Sequence, residues 1–357
     1  MTPQLISIDE IQDFSEFSEV VDVRSPSEFA EDHLPGAINL PVLSDEERAI
    51  VGDLYHNESK FTARRHGAAL VTRNISEMLA GHFSVKPGDY QPLVYCWRGG
   101  QRSNSLATLL TAIGWRVRIL NGGYKAYRSW VIRSLEEGFE CPELRLFIVA
   151  GLTGSGKTQM LHQLRARGEQ VLDLEALANH RGSILGSEPG SRQPHQKRFE
   201  SRLVGALQSF DRSRPVFVES ESHRVGELYV PGSLWKSMKA SPVIELTVDL
   251  EERVQFLCRH YLHFQQDQDR LIECLDVLRR LQGNSRVEHW ISLVRDGDWD
   301  GLVRSLLVDH YDSAYKSSRS KFEGERLGTI SLDSLSESGI EAGVDQVLEL
   351  SSGVGVK

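Results

Sequence analysis

The stretch LFIVAGLTGSGKT, residues 146–158, decides the fold of the larger part of this 357-residue chain. Its first five residues are apolar and predict a buried strand. The following GLTGSGKT matches the pattern G-x-x-x-x-G-K-[ST] in full, between a predicted strand and a predicted helix, as a phosphate-binding loop (P-loop) requires. Backbone N–H groups of such a loop approach phosphate oxygens. The predicted ligands of a phosphate chain are Gly151, Thr153, Gly154, Ser155, Gly156, Lys157 and Thr158.

The motif does not identify the part of the ligand that lies beyond the phosphates. We expect Lys157 to reach the terminal phosphate and the Thr158 hydroxyl to bind Mg²⁺. Neither residue recognises a base, so the motif does not say whether ATP binds. Asp173 and Glu219 each follow an apolar run and are candidates for holding the metal or the substrate. An acid that is merely solvated at the end of a strand is the alternative for each of them.

The residues before the P-loop show the same alternation of strands and helices. Apolar runs at 20–23, 93–95 and 117–120 predict strands, and Ser25-Pro26 predicts a helix start. Strands that alternate with helices indicate a parallel sheet. Glycine, proline and acids interrupt the pattern at 136–144. The sequence therefore predicts two α/β domains, residues 1–137 and 145–357, the second with a helical insertion around 251–320.

A cysteine loop, CWRGGQRS at residues 96–103, is the candidate catalytic site of the first domain. Backbone N–H groups of a glycine-containing loop and the N-terminus of the following helix both favour an anion. Arg98 and Arg102 add full positive charges, so we expect the thiolate of Cys96 to be favoured. We predict Cys96 as the nucleophile, with Arg98 and Arg102 beside it and Arg102 as a bidentate clamp on an oxyanion. A buried structural cysteine is the alternative.

The first domain resembles the rhodanese-like family of sulfurtransferases over about residues 5–135. The resemblance rests on the loop cysteine and on two signatures, DVRS at 22–25 with HLPGAIN at 33–39, and LNGG at 120–123 with the preceding GW at 114–115. It implies a parallel sheet and a chalcogen carried on Cys96 as a persulfide.

The spacing within the cysteine loop leaves a second chemistry open. Five residues separate Cys96 from Arg102, one more than in most single-domain sulfurtransferases, and this spacing also fits the Cys-x5-Arg signature of cysteine phosphatases. A longer loop forms a wider nest, suited to an anion of phosphate or selenophosphate size. The motif alone therefore does not distinguish a phosphatase from a chalcogen transferase.

The combination of a rhodanese-like domain with a P-loop NTPase-like domain resembles the family of tRNA 2-selenouridine synthases. Further stretches add to the resemblance: HRGS at 180–183, ESES at 219–222 with Gly226, and Tyr311-Asp312 with Tyr315. The resemblance implies replacement of sulfur by selenium in wobble 2-thiouridine of tRNA, through an S-geranylated intermediate. It implies selenophosphate as donor and geranyl diphosphate as co-substrate, and the enzyme that produces selenophosphate is a conceivable partner. A rhodanese-type sulfurtransferase with a regulatory ATPase is the competing interpretation.

The charge distribution favours local binding of RNA. The formal net charge is −9, yet residues 1–53 carry 13 acids and two bases, while residues 90–135 carry seven bases and no acid. Such a block favours an anionic partner. The candidate tRNA-binding residues are Arg116, Arg118, Lys125, Arg128, Arg192, Lys197, Arg198 and Arg202.

The remaining composition predicts the compartment. No stretch approaches the roughly 18 consecutive apolar residues of a membrane span, so no membrane association is expected. The N-terminus lacks the pattern of a secretory signal. Four cysteines without CxxC pairing argue against a disulfide framework and a structural zinc site. A reducing cytoplasm is therefore the expected location.

Overall fold

The computed structural model describes residues 2–139, 144–181, 192–313, 315 and 322–353. The chain forms two compact units: unit 1 contains residues 1–134 and 195–205, and unit 2 contains residues 135–194 and 206–357. The sequence predicts two domains that follow one another along the chain. In the structure, residues 195–205, which lie within the second predicted domain, belong to unit 1. Gly182 and Ser183, part of the HRGS stretch, lie outside the described residues.

Unit 1 contains a five-stranded sheet in which every neighbouring pair is parallel. The strand order is β1-β5-β4-β2-β3, so β4 is central and all four of its residues are buried. The strands are β1 (Gln4–Ile6), β2 (Glu19–Asp22), β3 (Ala37–Asn39), β4 (Pro92–Tyr95) and β5 (Arg118–Leu120). The parallel sheet expected from the strand and helix alternation is confirmed.

Helices pack around this sheet and begin and end where local signals place them. The first helix starts at Pro26, with the Ser25 N–H donating to the Glu28 carboxylate, and another ends where Gly114 adopts a left-handed φ of 118°. The helices are α1 (Pro26–Glu31), α2 (Asp45–Asn57), α3 (Lys60–Ala80), α4 (Gln101–Ile113) and α5 (Gly123–Phe139), with 3-10 turns at Ile8–Glu10, Phe14–Glu16 and His82–Val85.

Residues 195–205 belong to unit 1 because polar and apolar contacts attach them there. Phe199 is fully buried, and the Ser201 hydroxyl donates to the Asp32 carboxylate at 2.8 Å. Arg198 donates to the carbonyl of His33 at 2.8 Å. Burial raises the pKa of Asp32 despite these donors. The segment is thus held by buried polar groups that would be costly to leave unpaired.

Unit 2 contains a second five-stranded parallel sheet, with the order β12-β11-β6-β8-β7. Its central strand is β6, whose six residues are all buried. The strands are β6 (Leu146–Gly151), β7 (Gln170–Leu172), β8 (Val216–Glu219), β11 (Val243–Val248) and β12 (Arg326–Leu332), and β9 (Arg224–Val225) pairs with β10 (Leu228–Tyr229) in a separate hairpin.

The helices of unit 2 form two groups, one around the sheet and one in the region of the predicted insertion. The first group is α6 (Lys157–Ala166), α7 (Leu174–Ala178), α8 (Gln196–Ser209, whose residues 196–205 are in unit 1), α9 (Gly232–Ala240) and α16 (Glu337–Ser352). The second group is α10 (Leu250–His260), α11 (Leu262–Gln266), α12 (Gln268–Asp276), α13 (Arg279–Gln282), α14 (Asn284–Asp296) and α15 (Trp299–Leu306), followed by a π-helical turn at Leu307–Tyr311.

The second group of helices has an apolar core of its own, in which Trp290 is fully buried. Within the described residues, no helix combines the length and the apolar character needed to cross a bilayer.

Candidate active sites

The cysteine loop follows the central strand of unit 1 and leads into α4. Cys96 is only 3% exposed, and its Sγ accepts the N–H of Gly100 at 3.3 Å. The Ser103 hydroxyl also lies 3.3 Å from Sγ, and it donates to the carbonyl of Gly100 at 3.1 Å. The loop therefore curls around the sulfur and directs at least one peptide N–H group at it.

The start of α5 closes the loop from the other side. The N–H of Tyr124 donates to the carbonyl of Cys96 at 2.8 Å, and that of Lys125 donates to Trp97 at 3.0 Å. Gly123 has a φ of 58°, and a Cβ at this position would lie 2.2 Å from the Cys96 oxygen. Only glycine combines this conformation with so close an approach. The Gly-Gly of the LNGG signature is thus explained by contact with the cysteine loop.

Three peptide groups of the loop remain available for an anion. The N–H groups of Trp97, Arg98 and Gly99 donate to no acceptor among the described residues. Together with the N-terminus of α4 they provide the partial positive charge that a phosphate-sized anion needs next to the sulfur.

Arg102 is engaged elsewhere in the structure. Its guanidinium donates to the Glu28 carboxylate at 2.7 and 3.4 Å, and Arg48 lies 2.9 Å from the same carboxylate. Burial raises the pKa of Glu28, but the two arginines outweigh burial and the net pKa is lowered. The role of Arg102 as an oxyanion clamp, as expected from the sequence, therefore requires that the anion replaces Glu28. Arg98 is exposed and has no ion pair in the described part of the chain.

The cations predicted to bind tRNA divide into a group that attaches residues 195–205 and a group that is exposed. Within unit 1, Arg128 pairs with Glu200, Lys197 with Glu31 at 2.7 Å, and Arg198 with Asp32 at 3.7 Å. These pairs attach residues 195–205, which gives the three cations a structural role that the sequence did not indicate. The exposed members of the set are Arg116, Arg118, Lys125, Arg192 and Arg202. Arg202 also has its pKa lowered by partial burial and by the charge of Arg198.

The P-loop of unit 2 links the central strand β6 to α6, as its motif predicts. Gly154 and Gly156 both have a φ of 79°, in the left-handed region that favours glycine. The ammonium group of Lys157 donates to the carbonyls of Gly151 at 3.0 Å and Leu152 at 3.3 Å. The side chain therefore folds back over the loop, which places its charge at the concave face where phosphate oxygens bind.

Three carboxylates form a cluster beside the P-loop. Glu175, Glu219 and Glu221 each offer an oxygen within 4.8 Å of the others, and the Thr158 hydroxyl donates to Glu175 at 3.3 Å. Burial, followed by the charge of Glu221, raises the pKa of Glu175 to about 8. Burial and its acidic neighbours also hold the pKa of Glu219 well above its usual range, while Lys157 opposes the shift. The cluster therefore retains protons near neutral pH unless a cation replaces them.

A divalent cation fits this cluster. The fully buried Glu219 has one carboxylate oxygen without a hydrogen-bond partner, which is costly unless a proton or a metal ion satisfies it. Carboxylates and a threonine hydroxyl are the hard oxygen ligands that Mg²⁺ prefers. Glu175, Glu219 and Glu221 with Thr158 are the residues that would hold it, and a bound Mg²⁺ would supply charge stabilisation to a departing phosphate group.

The sequence located this acidic cluster only in part. Asp173, the other predicted acid, caps α7 through a 2.9 Å hydrogen bond from the Ala176 N–H and also lies 3.5 Å from His162. Its carboxylate therefore has a structural function, although it also lines the P-loop pocket. No sequence motif points to Glu175, which lies in the first turn of α7 shortly after the end of β7. Glu221 lies two residues after Glu219. The repeated Glu-Ser at residues 219–222 is the sequence feature that points to a second carboxylate there.

A buried arginine supports the P-loop from the helical region. Arg253 is 2% exposed and donates to the carbonyl of Thr153 at 2.9 Å. Its other nitrogens donate to the Asp312 carboxylate at 2.6 and 3.1 Å. A charged guanidinium shared between a carboxylate and a loop carbonyl holds the loop in one conformation.

An apolar pocket adjoins the phosphate-binding pocket. Thr153, Leu257, Tyr261 and Tyr311 line both of them, so the two cavities meet at the P-loop. The other lining residues of the apolar pocket are Cys258, Phe264, Gln265, Leu271, Trp299, Leu302, Val303, Leu306 and Leu307. The arrangement suits a ligand with a phosphate head and a short apolar tail.

Two family models match the two parts of the chain. One, described as a rhodanese-like domain, matches residues 7–129, and the other, described as the AAA domain of tRNA 2-selenouridine synthase, matches residues 144–336. The chain thus combines a rhodanese-like domain with a P-loop domain.

Several relatives named tRNA 2-selenouridine synthase resemble the chain over most of its length. The protein of Hahella chejuensis is 34% identical over 328 residues, covering 83% of this chain and 84% of the relative. That of Marinobacter nauticus is 32% identical, covering 86% and 90%. That of Nitrosomonas europaea is 36% identical over 249 residues, covering 68% of this chain and 63% of the relative. The chain belongs to the tRNA 2-selenouridine synthase family, which confirms the resemblance seen in the sequence.

The close approach of Gly123 to the cysteine loop leads to a test of stability. Gly123→Ala must adopt a left-handed φ, which costs about 1–2 kcal/mol, and must also displace the Cys96 carbonyl. Gly36→Ala is the matched control, because Gly36 has a φ of 68° with nothing within 4 Å of an added Cβ. We expect Gly123→Ala to lower the free energy of unfolding by about 1–3 kcal/mol more than Gly36→Ala in chemical denaturation. Equal losses of unfolding free energy in the two variants would show that the close approach of residue 123 to the Cys96 carbonyl does not affect stability.

The raised pKa of Glu175 leads to a test of pH dependence. Its pKa rises from 4.5 to about 8 on folding, so the folded state binds more protons between these values. The contribution of Glu175 to the free energy of unfolding in metal-free buffer should therefore be fully present below pH 4.5 and be lost as the pH rises through about 8. Glu175→Gln should flatten this slope, and Glu349→Gln, at an exposed position, should not. Chemical denaturation at a series of pH values measures the free energy of unfolding. Identical slopes against pH in the wild type, Glu175→Gln and Glu349→Gln would contradict the raised pKa of Glu175.

Proposed function

We propose that the protein replaces sulfur by selenium in wobble 2-thiouridine of tRNA, through an S-geranylated intermediate. Geranyl diphosphate supplies the alkyl group and selenophosphate supplies the selenium. In the first step a bond forms between C1 of the geranyl group and the thiouridine sulfur while the C1–oxygen bond breaks and diphosphate leaves. In the second step the selenium of selenophosphate bonds to C2 of the base and geranylthiol leaves. Water then cleaves the Se–P bond, which releases phosphate and leaves 2-selenouridine. Alkylation is required because a thiolate-like sulfur is a poor leaving group.

The observation that carries this proposal is the junction of the P-loop with the apolar pocket in unit 2. The P-loop recognises only phosphate, and Thr153, Leu257 and Tyr311 continue from it into a cavity lined almost wholly by apolar side chains. A geranyl diphosphate has this division into a charged head and an apolar tail. An adenine base with its ribose would leave polar atoms in the apolar pocket without partners. The apolar pocket therefore supports geranyl diphosphate rather than ATP as the ligand in this proposal.

The residues at the phosphate head serve departure of diphosphate. Lys157 and the peptide N–H groups of the P-loop would stabilise the charge that develops on the leaving oxygen. Arg253 supports them by fixing the Thr153 carbonyl. A cation held by the three carboxylates would neutralise further negative charge.

The cysteine loop of unit 1 serves the selenium donor in this proposal. Cys96 is proposed to hold selenophosphate in position for attack on C2 of the base, and the N–H groups of Trp97, Arg98 and Gly99 are suited to the phosphate part of the donor. Arg98 supplies a full charge beside them. Such a reaction belongs to a compartment that contains tRNA and keeps thiols reduced, so a cytoplasmic location remains the prediction.

Replacing the cysteine should separate the two steps. We expect Cys96→Ala to abolish formation of 2-selenouridine and to leave S-geranyl-2-thiouridine accumulating, because Cys96 takes no part in the proposed alkylation. Cys274→Ala is the control for loss of a thiol elsewhere. Nucleoside mass spectrometry after incubation of 2-thiouridine tRNA with geranyl diphosphate and selenophosphate measures both products. Undiminished selenation by Cys96→Ala would exclude the role given to this residue.

Narrowing the apolar pocket should affect the geranyl substrate selectively. Val303 lines the pocket, so Val303→Phe should raise the KM for geranyl diphosphate about tenfold or more while inhibition by inorganic diphosphate stays unchanged. Val308→Phe is the matched control, since Val308 is 49% exposed and lies outside the pocket. Rapid hydrolysis of ATP by the wild type, with both variants geranylating normally, would favour the sulfurtransferase with a regulatory ATPase instead.

A further inference from the structure

A second large cavity lies wholly in unit 1, between α2, α3 and α4. Its floor is made of small and apolar residues, among them Val51 and Gly67, and a Cβ on Gly67 would touch the Val51 side chain at 3.4 Å. The two helices of the hairpin are therefore closely packed beneath it. The wall formed by α4 begins with Gln101 and Arg102, the residues that directly follow the peptide groups around Cys96. We call this cavity the hairpin groove.

The hairpin groove is positively charged. Arg48, Arg64, Arg102 and His56 line it, and no aspartate or glutamate is among its described lining residues. Helix α3 contributes further charge, since residues 59–76 contain four basic residues and no acid. Arg64 is exposed and has no ion pair within the described ranges, whereas Arg48 and Arg102 share the single carboxylate of Glu28. The cations that line the groove, rather than the net charge of α2 and α3, suit a polyanion.

One aromatic side chain lines the hairpin groove, and another is exposed at the start of α3. Tyr55 lines it and is 45% exposed, and Phe61, at the start of α3, is 73% exposed. The Lys60 ammonium group lies 5.8 Å from the centre of the Tyr55 ring. Exposed aromatic rings interleaved with cations are the usual platform for single-stranded nucleic acid, because every base has a face that can stack.

We propose that the hairpin groove binds the unpaired nucleotides of the RNA substrate and leads the target base to the Cys96 loop. The proposal rests on the proposed function, which supplies the RNA. Arg64 and Arg48 contact phosphates, and Tyr55 stacks on a base. A small free anion is a poorer fit, since the cations come from three helices and face an apolar floor and an aromatic ring. The groove was not among the sites expected from the sequence.

This placement also gives the pairing of Arg48 and Arg102 with Glu28 a function. Both arginines pair with the one carboxylate of Glu28. A phosphate that competes with Glu28 would therefore meet two guanidinium groups. Release of Arg102 would return it to the anion site beside Cys96, where the sequence placed it. Binding of RNA at the hairpin groove and of the selenium donor at the loop are thereby connected through the same carboxylate.

Substitutions on one helix distinguish contact in the groove from general electrostatic attraction. We expect Arg64→Ala to weaken binding of a fluorescent anticodon stem-loop RNA about five- to tenfold and to lower the slope of log K against log salt by about 0.7. Arg65→Ala is the matched control, because Arg65 is a neighbouring exposed cation that does not line the groove. Its effect should stay below about twofold. Tyr55→Ala should weaken binding about tenfold, and Tyr55→Phe should retain it.

Crosslinking to the wild type supports the test without relying on the folding of variants. A stem-loop RNA with 5-bromouridine in the loop should crosslink to Tyr55 or Phe61, as located by mass spectrometry. Equal effects of Arg64→Ala and Arg65→Ala together with crosslinks confined to the surface of Arg116 and Arg118 would overturn the proposal and leave the proposed function standing. Failure of the wild type to bind the RNA at all would instead contradict the proposed function itself.

Discussion

The constraint on which both sites depend is the carboxyl end of the central strand in a parallel sheet. β4 is the middle strand of one sheet and β6 the middle strand of the other, and each leads through a glycine-containing loop into a helix. Peptide N–H groups of such a loop have no strand to pair with, so they attract an anion instead. The chemistry of each unit is therefore located by topology before any catalytic side chain is considered.

Charge pairing then decides which side chains remain available for ligands. Arg128, Lys197 and Arg198 attach a segment of chain through acids, and Arg102 is held by Glu28. The net charge of −9 thus sums acids that are paired with cations and cations that remain exposed. In unit 2 three carboxylates lie beside Lys157, and burial raises the pKa of each of them, with the charge of acidic neighbours adding to the shift for Glu175 and Glu219.

Much of the architecture could be predicted from local patterns. The strand before the P-loop, the helix start at Pro26 and the helix end at Gly114 depend on neighbours in sequence, and the structure has them where the patterns place them. Assignment of residues 195–205 to unit 1 could not be predicted in this way. It depends on Ser201 meeting Asp32, a partner 169 residues away in the chain.

The sequence by itself determined the two loops, their glycines and the family, because each depends on residue types at short, fixed spacing. Only the tertiary structure decided which acids gather beside Thr158, what Arg102 contacts, and that an apolar pocket continues from Thr153. The physical reason is that a cluster or a cavity is made by side chains from several elements. The free energies of their burial and pairing depend on distances between residues that are far apart in the sequence, so short sequence motifs do not reveal them.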